Sequence, residues 1–323
     1  MNLQRSTGGY IELTGTLGLP AIISDAGEEA RERFIEFFTA TIRNRGTRAV
    51  YANAVQQFLT WCSLQGIGLA EIKPVVVATY FEQLTQMRAA PTVKVHLAAI
   101  RRLFDFLVTG HIMMTNPAAS VRGPKHVVKK GTTPFLLADE ARQLLDSIDI
   151  SKIAGLRDRA IIAVMVYSFA RVSATVRMNV EDYFIQQRKR WFRLNEKGGK
   201  LHDIPAHHNP VDYVEAYLDK AGIRVESKGP LFRSLNRRRE LSLNRLHRND
   251  VLRMIKRRAN KVGIPTCIGC HTFRATGITA YLSNGGSVEH AQRIANHDSI
   301  RSTKLYDRTS DEVSLDEIER IHI

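Results

Sequence analysis

A tyrosine near the end of the chain lies in the basic segment HDSIRSTKLYDR, residues 297 to 308. Tyr306 follows His297 by nine residues. A phenol with a pKa near 10 is ionised in only about one molecule per thousand at neutral pH. It becomes a nucleophile only if a neighbour accepts its proton and cations neutralise the charge on its target. Most tyrosines in such helices are half-buried packing residues, so Tyr306 by itself leaves both interpretations open.

Three other stretches carry cationic side chains that could bind an anion or take part in catalysis. Arg171 directly follows the apolar segment RAIIAVMVYSFA, and a permanently charged guanidinium at the edge of a core must find an anion. His271 and Arg274 of HTFR share one face of a helix start, where free N–H groups favour a phosphate. Lys197 lies in the turn EKGGK, whose glycines allow close approach to a ligand. Taken singly, each has an ordinary explanation: a structural salt bridge, a chance spacing and a solvated lysine.

Taken in order, these residues resemble the tyrosine recombinase (phage integrase) family, whose signature is Arg…Lys…H-x-x-R…His/Trp…Tyr. The segments that carry the resemblance are VYSFARVSATVRMNVEDY, NEKGGKLHDIP, HTFRATGITAYLSNGG and IANHDSIRSTKLYDR. They cover roughly residues 134 to 310, and the helical stretch before them is similar to the family's core-binding domain, in a layout like that of the Xer recombinases. Three departures stand out: Ala174 replaces a common Glu, Asn296 replaces the usual Gly, and Phe169-Ala170 replace Gly-Leu.

The resemblance implies a role for each candidate catalytic residue. Arg171 and Arg274 would clamp the non-bridging oxygens of a scissile phosphate, where two guanidinium forks suit the charge of a pentacoordinate transition state. Tyr306 would attack the phosphorus, giving a 3′-phosphotyrosyl intermediate and a free 5′-hydroxyl, and Lys197 would protonate that leaving oxygen. His271 would act as acid or base on the tyrosine side. His297 would hydrogen-bond the phosphate.

No cofactor is expected. The phosphotyrosyl ester conserves the bond energy, so neither ATP nor a metal is required, and the sequence has no G-x-x-x-x-G-K-[ST] loop. The motif CIGCH, Cys267 to His271, matches the haem-attachment pattern C-x-x-C-H. Haem attachment would need an export signal, and a zinc site would need further ligands, so we expect neither group.

Charge and composition favour a nucleic-acid partner. The chain of 323 residues carries 47 Lys and Arg against 32 Asp and Glu, a net charge of +15, and each phosphate contact of such a surface releases counterions. Three cysteines fit a reducing cytosol. The chain has no apolar run long enough for a transmembrane helix, and its N-terminus lacks the apolar core of a signal peptide. We therefore expect a cytoplasmic protein of bacterial type.

The predicted fold is mainly α with a small β-hairpin, and its expected divisions follow the chain. They are a flexible leader (1–24), a helical core-binding, SAM-like domain (25–112), a basic linker (113–133), an α+β catalytic domain (134–310) and a C-terminal tail (311–323). In the first domain, apolar residues at helical spacing predict four helices, with Pro74 and Pro91 opening two of them and Gly110 ending the last.

In the catalytic domain, residues 138–148 and 159–170 predict two helices, the second buried almost all round. Residues 191–205 predict two strands around the Lys-Gly-Gly-Lys turn. Further helices are predicted at 209–221, 243–262, 272–283, 287–295 and 299–308.

DNA-binding candidates are basic residues in three places. They are Lys94, Arg101 and Arg102, with His96, on the helix 91–108; Lys125, Lys129 and Lys130 in the linker; and Arg245 and Arg248 in the run 237–258. Such residues position a protein on phosphates without necessarily reading bases.

Double-stranded DNA is the expected partner, held in a C-shaped clamp, with a homotetramer in the synaptic complex and a monomer or dimer off DNA. Accessory DNA-bending or directionality proteins are also expected. The tail 311–323 would pack either on a neighbouring protomer or on its own chain. Two alternatives to a recombinase stay open: a type IB topoisomerase-like DNA relaxer, and a catalytically idle DNA-binding protein of the same fold.

Overall fold

The structure, a computed structural model, describes residues 19–126, 131–307 and 318, with the backbone alone for Lys197. Helices dominate, and the strands form two small antiparallel sheets. The mainly α fold with a small sheet is therefore confirmed. The chain divides into unit 1, residues 1–127, and unit 2, residues 128–323. No helix in the described ranges is long and apolar enough to cross a membrane.

Unit 1 is a bundle of helices around one aromatic-rich core. Its α-helices are α1 (Ala21–Ser24), α2 (Glu28–Glu36), α3 (Arg45–Leu64), α4 (Pro74–Met87) and α5 (Ala90–Thr109), with a π turn at Phe37–Thr41 and a 3-10 turn at Leu69–Glu71. Side chains of α2, α3 and α5 that recur at helical spacing are buried in it, including Phe34, Phe58 and Phe104. Each such side chain stabilises the fold by about 1.5–3 kcal/mol.

Local signals set the ends of these helices. Pro74 is the first residue of α4, where a missing N–H costs nothing. The α5 helix ends before Gly110 as predicted, but the φ of Gly110 is −87°, so left-handed backbone is not the reason. A side chain there would place its Cβ 2.8 Å from Nε of Arg33. A larger residue at this position would therefore displace the Arg33 side chain.

Both flanks of unit 1 differ from the sequence prediction. Ile22 and Ile23 of α1 lie in the core, so the packed chain begins within the stretch predicted to be a loose leader. The predicted linker 113–133 also begins inside the fold, because Ala118 and Val121 are buried. Apolar side chains hold both segments in place.

Unit 2 contains the described elements that follow unit 1 along the chain. Its helices are α6 (Ala138–Asp146), α7 (Ile153–Tyr167), α8 (Val172–Arg177), α9 (His208–Ala221), α10 (Arg248–Lys261), α11 (Cys270–Ser283), α12 (Val288–Ala295) and α13 (Ile300–Lys304). Its strands are β1 (Tyr183–Gln186), β2 (Lys189–Asn195), β3 (Leu201–Pro205), β4 (Arg233–Leu235) and β5 (Leu241–Arg245).

The helix α7 is the centre of unit 2. It is buried along most of its length, as predicted, and packs against α9 and α11. Gly277 of α11 allows this approach, because a Cβ there would collide with the carbonyl oxygen of Val166. This packing brings the HTFR segment close to the end of α7.

The predicted hairpin 191–205 is confirmed as β2 and β3, with Phe192 opposite Ile204. The structure adds β1, which pairs with β2 and makes a three-stranded sheet. The predicted helix 243–262 is wrong at its start. Leu241–Arg245 form β5 opposite β4, and α10 begins only at Arg248, after His247 caps it by accepting from the N–H of Asn249.

Candidate active site

Arg274 occupies the centre of the site. It lies on the first turns of α11 and is 1% exposed. Its Nη1 donates to the carbonyl oxygen of Phe169, and its Nη2 donates to that of Ala295 at 2.5 Å. The backbone of Phe169 is left-handed, with φ of 52°, in the turn that follows α7. The guanidinium is thus fixed between the turn after α7 and the end of α12.

Arg171 follows the same turn and directly precedes α8. Its Nη1 donates to Oε2 of Glu196 at 2.5 Å. The Arg171 side chain is 31% exposed and that of Glu196 is 3% exposed. Glu196 directly follows β2 and is absent from the residues predicted for the site, because a lone glutamate before a glycine turn has no distinguishing pattern.

Tyr306 lies two residues beyond the end of α13 and is 8% exposed. Its hydroxyl oxygen is 2.7 Å from Nε2 of His271. Its ring stacks on the ring of His297, with centroids 5.8 Å apart and planes 10° from parallel. The hydroxyl of Thr279 donates to its carbonyl oxygen at 3.0 Å. The structure therefore brings together the tyrosine and the histidines that the sequence placed 35 and nine residues before it.

His297 is held by its own neighbours. Its Nδ1 lies 2.8 Å from the hydroxyl of Thr303. Asn296, the residue before it, ends α12 with φ of 47° and ψ of 53°, the left-handed region. Among residues with a side chain, asparagine tolerates that region best. This accounts for asparagine at a position where the family commonly has glycine.

Burial and the two arginines lower the pKa of both histidines of the site. Burial, then the charges of Arg274 and Arg171, lower the pKa of His271. The same causes, with His271 in addition, lower the pKa of His297 to about 3. Both imidazoles are therefore neutral at neutral pH. Burial also lowers the pKa of Arg274 to about 10, with Arg171 adding to the effect and Glu196 opposing it, so Arg274 stays charged.

Lys197 lies in the turn between β2 and β3. Gly198 and Gly199 in this turn have φ of 82° and 79°, which glycine adopts without strain. The side chain of Lys197 lies outside the described part of the structure. Lys200, at the other end of the turn, pairs with Asp298 at 2.7 Å, so the turn contacts the residue that follows His297.

The CIGCH motif contributes His271 to the site. Cys267 is exposed, and burial raises the pKa of the Cys270 thiol to about 11. His271 is hydrogen-bonded to Tyr306, as described above. In the described ranges, no three His, Cys, Asp or Glu residues lie close enough together to hold a metal ion.

Two of the DNA-binding candidates, Arg101 and Arg245, are partly buried and each bind two backbone carbonyl oxygens of their own chain. Arg101 donates to the carbonyl oxygens of Ala118 and Val121. Arg245 donates to those of Val176 and Met178 at 2.7 and 2.8 Å. These two arginines therefore have a structural role: their hydrogen bonds join segments of the fold that are distant along the chain.

The other candidates differ in their exposure. Exposed side chains are those of Lys94, Arg102, Lys125 and Arg248; Arg102 also donates to the carbonyl oxygen of Thr41 at 3.2 Å. His96 is buried, only 7% exposed, so it faces the core. Lys129 and Lys130 lie outside the described residues.

The arrangement as a whole places two guanidinium groups and an imidazole around a phenol hydroxyl. Two guanidinium groups supply fixed positive charge, and a neutral imidazole is within hydrogen-bond distance of the phenol. Nucleophilic attack on a phosphodiester uses a base near the attacking hydroxyl and cations near the phosphate.

Comparison with known proteins agrees with this chemistry. The sequence model of the "Phage integrase family" matches residues 134–312, and that of the "Phage integrase, N-terminal SAM-like domain" matches residues 32–111. The chain is 26% identical over 267 residues to the tyrosine recombinase XerC of Thermodesulfovibrio yellowstonii, an alignment that covers 80% of this chain and 84% of the relative.

Two solved structures share the fold. A XerH site-specific recombinase bound to a palindromic difH substrate has a TM-score of 0.66 at 17% identity, covering 93% of this chain and 90% of the other. A lambda integrase tetramer bound to a Holliday junction has a TM-score of 0.63 at 17% identity, covering 97% and 92%. The resemblance predicted from the ordered motifs is confirmed. The chain belongs to the phage integrase family of tyrosine recombinases, the enzymes of site-specific DNA recombination.

Proposed function

We propose that this chain cuts and rejoins DNA strands with Tyr306 as the nucleophile. The observation that carries the proposal is the 2.7 Å hydrogen bond between the Tyr306 hydroxyl and Nε2 of His271, next to the buried guanidinium of Arg274. A phenol needs a base within reach and a cation near its target, and this site holds both.

Cleavage begins with proton transfer from the phenol. His271 is neutral at neutral pH and accepts the proton as Tyr306 Oη attacks the phosphorus. The Oη–P bond forms while the bond from phosphorus to the 5′ oxygen breaks. Arg171 and Arg274 hold the non-bridging oxygens, whose charge rises in the transition state.

The leaving oxygen also needs a proton. Lys197 supplies it from the turn between β2 and β3, where the two left-handed glycines give the tip a close approach to the backbone of DNA. His297 hydrogen-bonds the phosphate. Attack on the phosphotyrosine by a 5′-hydroxyl of another strand reverses these steps and frees Tyr306.

The chain divisions take their roles from this reaction. Residues 25–112, with the flanking residues that pack in the same core, bind DNA as the core-binding domain. The rest of the linker 113–133 crosses the DNA backbone, and residues 134–310 carry out catalysis. Four copies assemble on two duplexes, in line with the lambda integrase tetramer on a Holliday junction. The tail 311–323 packs either on a neighbouring copy or on its own chain. Accessory proteins set direction, and the reaction takes place in a bacterial-type cytosol.

A plasmid assay tests strand exchange. A supercoiled plasmid carries two direct copies of the DNA that flanks this gene, and a second plasmid lacks them. A recombinase excises the segment between the copies only from the first plasmid. Relaxation of both plasmids without excision would indicate a topoisomerase-like relaxer instead, and no change in either with DNA binding intact would indicate an idle DNA-binding protein.

A further inference from the structure

A buried carboxylate lies against one of the arginines of the site. Oε2 of Glu196 is 2.5 Å from Nη1 of Arg171, and the Glu196 side chain is 3% exposed. Burying a carboxylate is costly unless it is paired. The cleavage steps given above use Arg171 but leave Glu196 without a role.

The direction of the contact leaves the arginine available. Glu196 reaches Arg171 from the buried side, while 31% of the Arg171 side chain stays exposed. The contact uses Nη1, one of the guanidinium nitrogens, and a guanidinium has five N–H donors in a fixed plane. Because Glu196 binds one edge of the Arg171 guanidinium from the buried side, it fixes the plane of the group. The opposite edge then meets an incoming phosphate in that plane.

The carboxylate that pairs with Arg171 comes from the hairpin, because the nearby position on α8 has no acidic side chain. An acidic side chain three residues after Arg171, on the first turn of α8, would lie beside it, but that residue is Ala174, 1% exposed. Glu196 is instead held by the turn itself. Its N–H donates to the carbonyl oxygen of Lys200 at 2.9 Å, and its carbonyl oxygen accepts from the N–H of Gly199 at 3.2 Å.

We propose that Glu196 is a positioning residue: its carboxylate orients the guanidinium of Arg171 for the scissile phosphate and ties it to the turn that carries Lys197. This inference rests on the proposed function, in which Arg171 binds that phosphate. In this proposal Glu196 acts on the reaction through Arg171, the residue that it binds.

The test measures how fast the covalent protein–DNA adduct forms on nicked duplexes from the flanking DNA, over a range of DNA concentrations. Glu196→Gln keeps a hydrogen-bond acceptor and loses the charge, whereas Glu196→Ala loses both. We expect the rate at saturating DNA to fall about 10-fold and about 100-fold respectively, as for a misplaced catalytic group. The half-saturating DNA concentration stays within about 2-fold of wild type, because the change affects the transition state rather than binding.

Asp203→Asn is the matched control. Asp203 stands in the same hairpin and pairs with a different arginine, Arg193, at 2.8 Å. This variant makes the same carboxylate-to-amide change, and we expect a rate within about 2-fold of wild type.

A double-mutant cycle decides whether Glu196 acts through Arg171. In an Arg171→Ala background, we expect Glu196→Gln to slow adduct formation by less than about 2-fold, and to recover part of the melting temperature because it removes the unpaired buried charge. Equal rates of adduct formation for wild type and Glu196→Ala would overturn the proposal. It would also be overturned if Glu196→Gln still slowed adduct formation about 10-fold in the Arg171→Ala background. If wild type itself formed no adduct while it bound the DNA, the proposed function would fail first and the inference with it.

Discussion

The Nε2 atom of His271, on α11, lies 2.7 Å from the hydroxyl oxygen of Tyr306, which follows the end of α13. This hydrogen bond joins a phenol to an imidazole that is neutral at neutral pH. Burial and two nearby arginines keep the imidazole neutral by lowering its pKa. The relationship makes the chemistry of the site depend on pH in a defined way.

Cleavage should therefore persist into mildly acidic buffer. At sub-saturating DNA the rate reports the groups of the free protein, and His271 must be neutral to accept a proton. Because its pKa is lowered from 6.5, we expect the adduct rate to stay level from pH 8 to about 6.5 and to fall only below that range. The measurement is a pH profile of adduct formation, with DNA binding recorded in the same buffers. His271→Gln should lower the rate of adduct formation and remove its decrease at acidic pH. An unchanged pH profile in the variant would count against His271 as the base.

Acid should also weaken the fold through His297. Its pKa is about 3 when folded, against 6.5 for an ordinary histidine. Between these values the unfolded chain binds a proton that the folded chain does not, so stability is complete above about 6.5 and is lost as the pH falls. One such proton contributes up to about 2 kcal/mol between pH 6.5 and 5. Urea unfolding at both pH values should show a loss in wild type that exceeds the loss in His297→Gln by about 1–2 kcal/mol. Equal losses would contradict the neutral, buried histidine.

Replacement of Arg274 should affect both activity and stability. Its guanidinium binds the carbonyl oxygens of Phe169 and Ala295, and a buried acceptor left without a donor costs about 1–3 kcal/mol. Arg274→Ala should lower the free energy of unfolding by a few kcal/mol and slow adduct formation at least about 100-fold. Arg274→Lys keeps the charge but not the planar fork, so we expect it to regain less than a tenth of the lost rate. A fully active lysine variant would show that charge alone is sufficient.

Two basic residues on α5 should behave differently when replaced by alanine. Arg101 binds backbone carbonyl oxygens of the segment after the helix, so Arg101→Ala should destabilise unit 1 by about 2–3 kcal/mol. Lys94 is exposed. Lys94→Ala should leave the free energy of unfolding within about 0.5 kcal/mol of wild type. It should reduce by about one the slope of the logarithm of the DNA-binding constant against the logarithm of the salt concentration. Denaturant unfolding and binding at several salt concentrations separate the two effects. A stability loss in Lys94→Ala with an unchanged salt slope would contradict this division.

The sequence was informative where a pattern was local or shared with a family. The helices of unit 1 follow from apolar spacing and from Pro74, and Arg171, HTFR, His297 and Tyr306 indicate the family by their order along the chain. The hairpin 191–205 follows from its glycine turn. Such signals lie within a few residues of one another, or recur in a fixed order.

What the sequence did not indicate depends on contacts between distant residues. Glu196 gains its importance from Arg171, 25 residues away, and Arg101 is structural only because the chain returns to it at Ala118 and Val121. The strand β5 resembles helix in sequence because the basic run 243–262 continues into α10 without a proline or glycine. Its pairing with β4 outweighs that local preference.

The central claim is that Tyr306 becomes covalently attached to DNA. The measurement that tests it most directly uses nicked, labelled duplexes from the DNA flanking this gene, incubated with wild type or with Tyr306→Phe and then denatured in SDS. The variant lacks one hydroxyl and should bind the same DNA with little change. We predict a labelled protein–DNA adduct with wild type and none with Tyr306→Phe. An adduct of equal yield in both proteins would contradict the assignment of Tyr306 as the nucleophile.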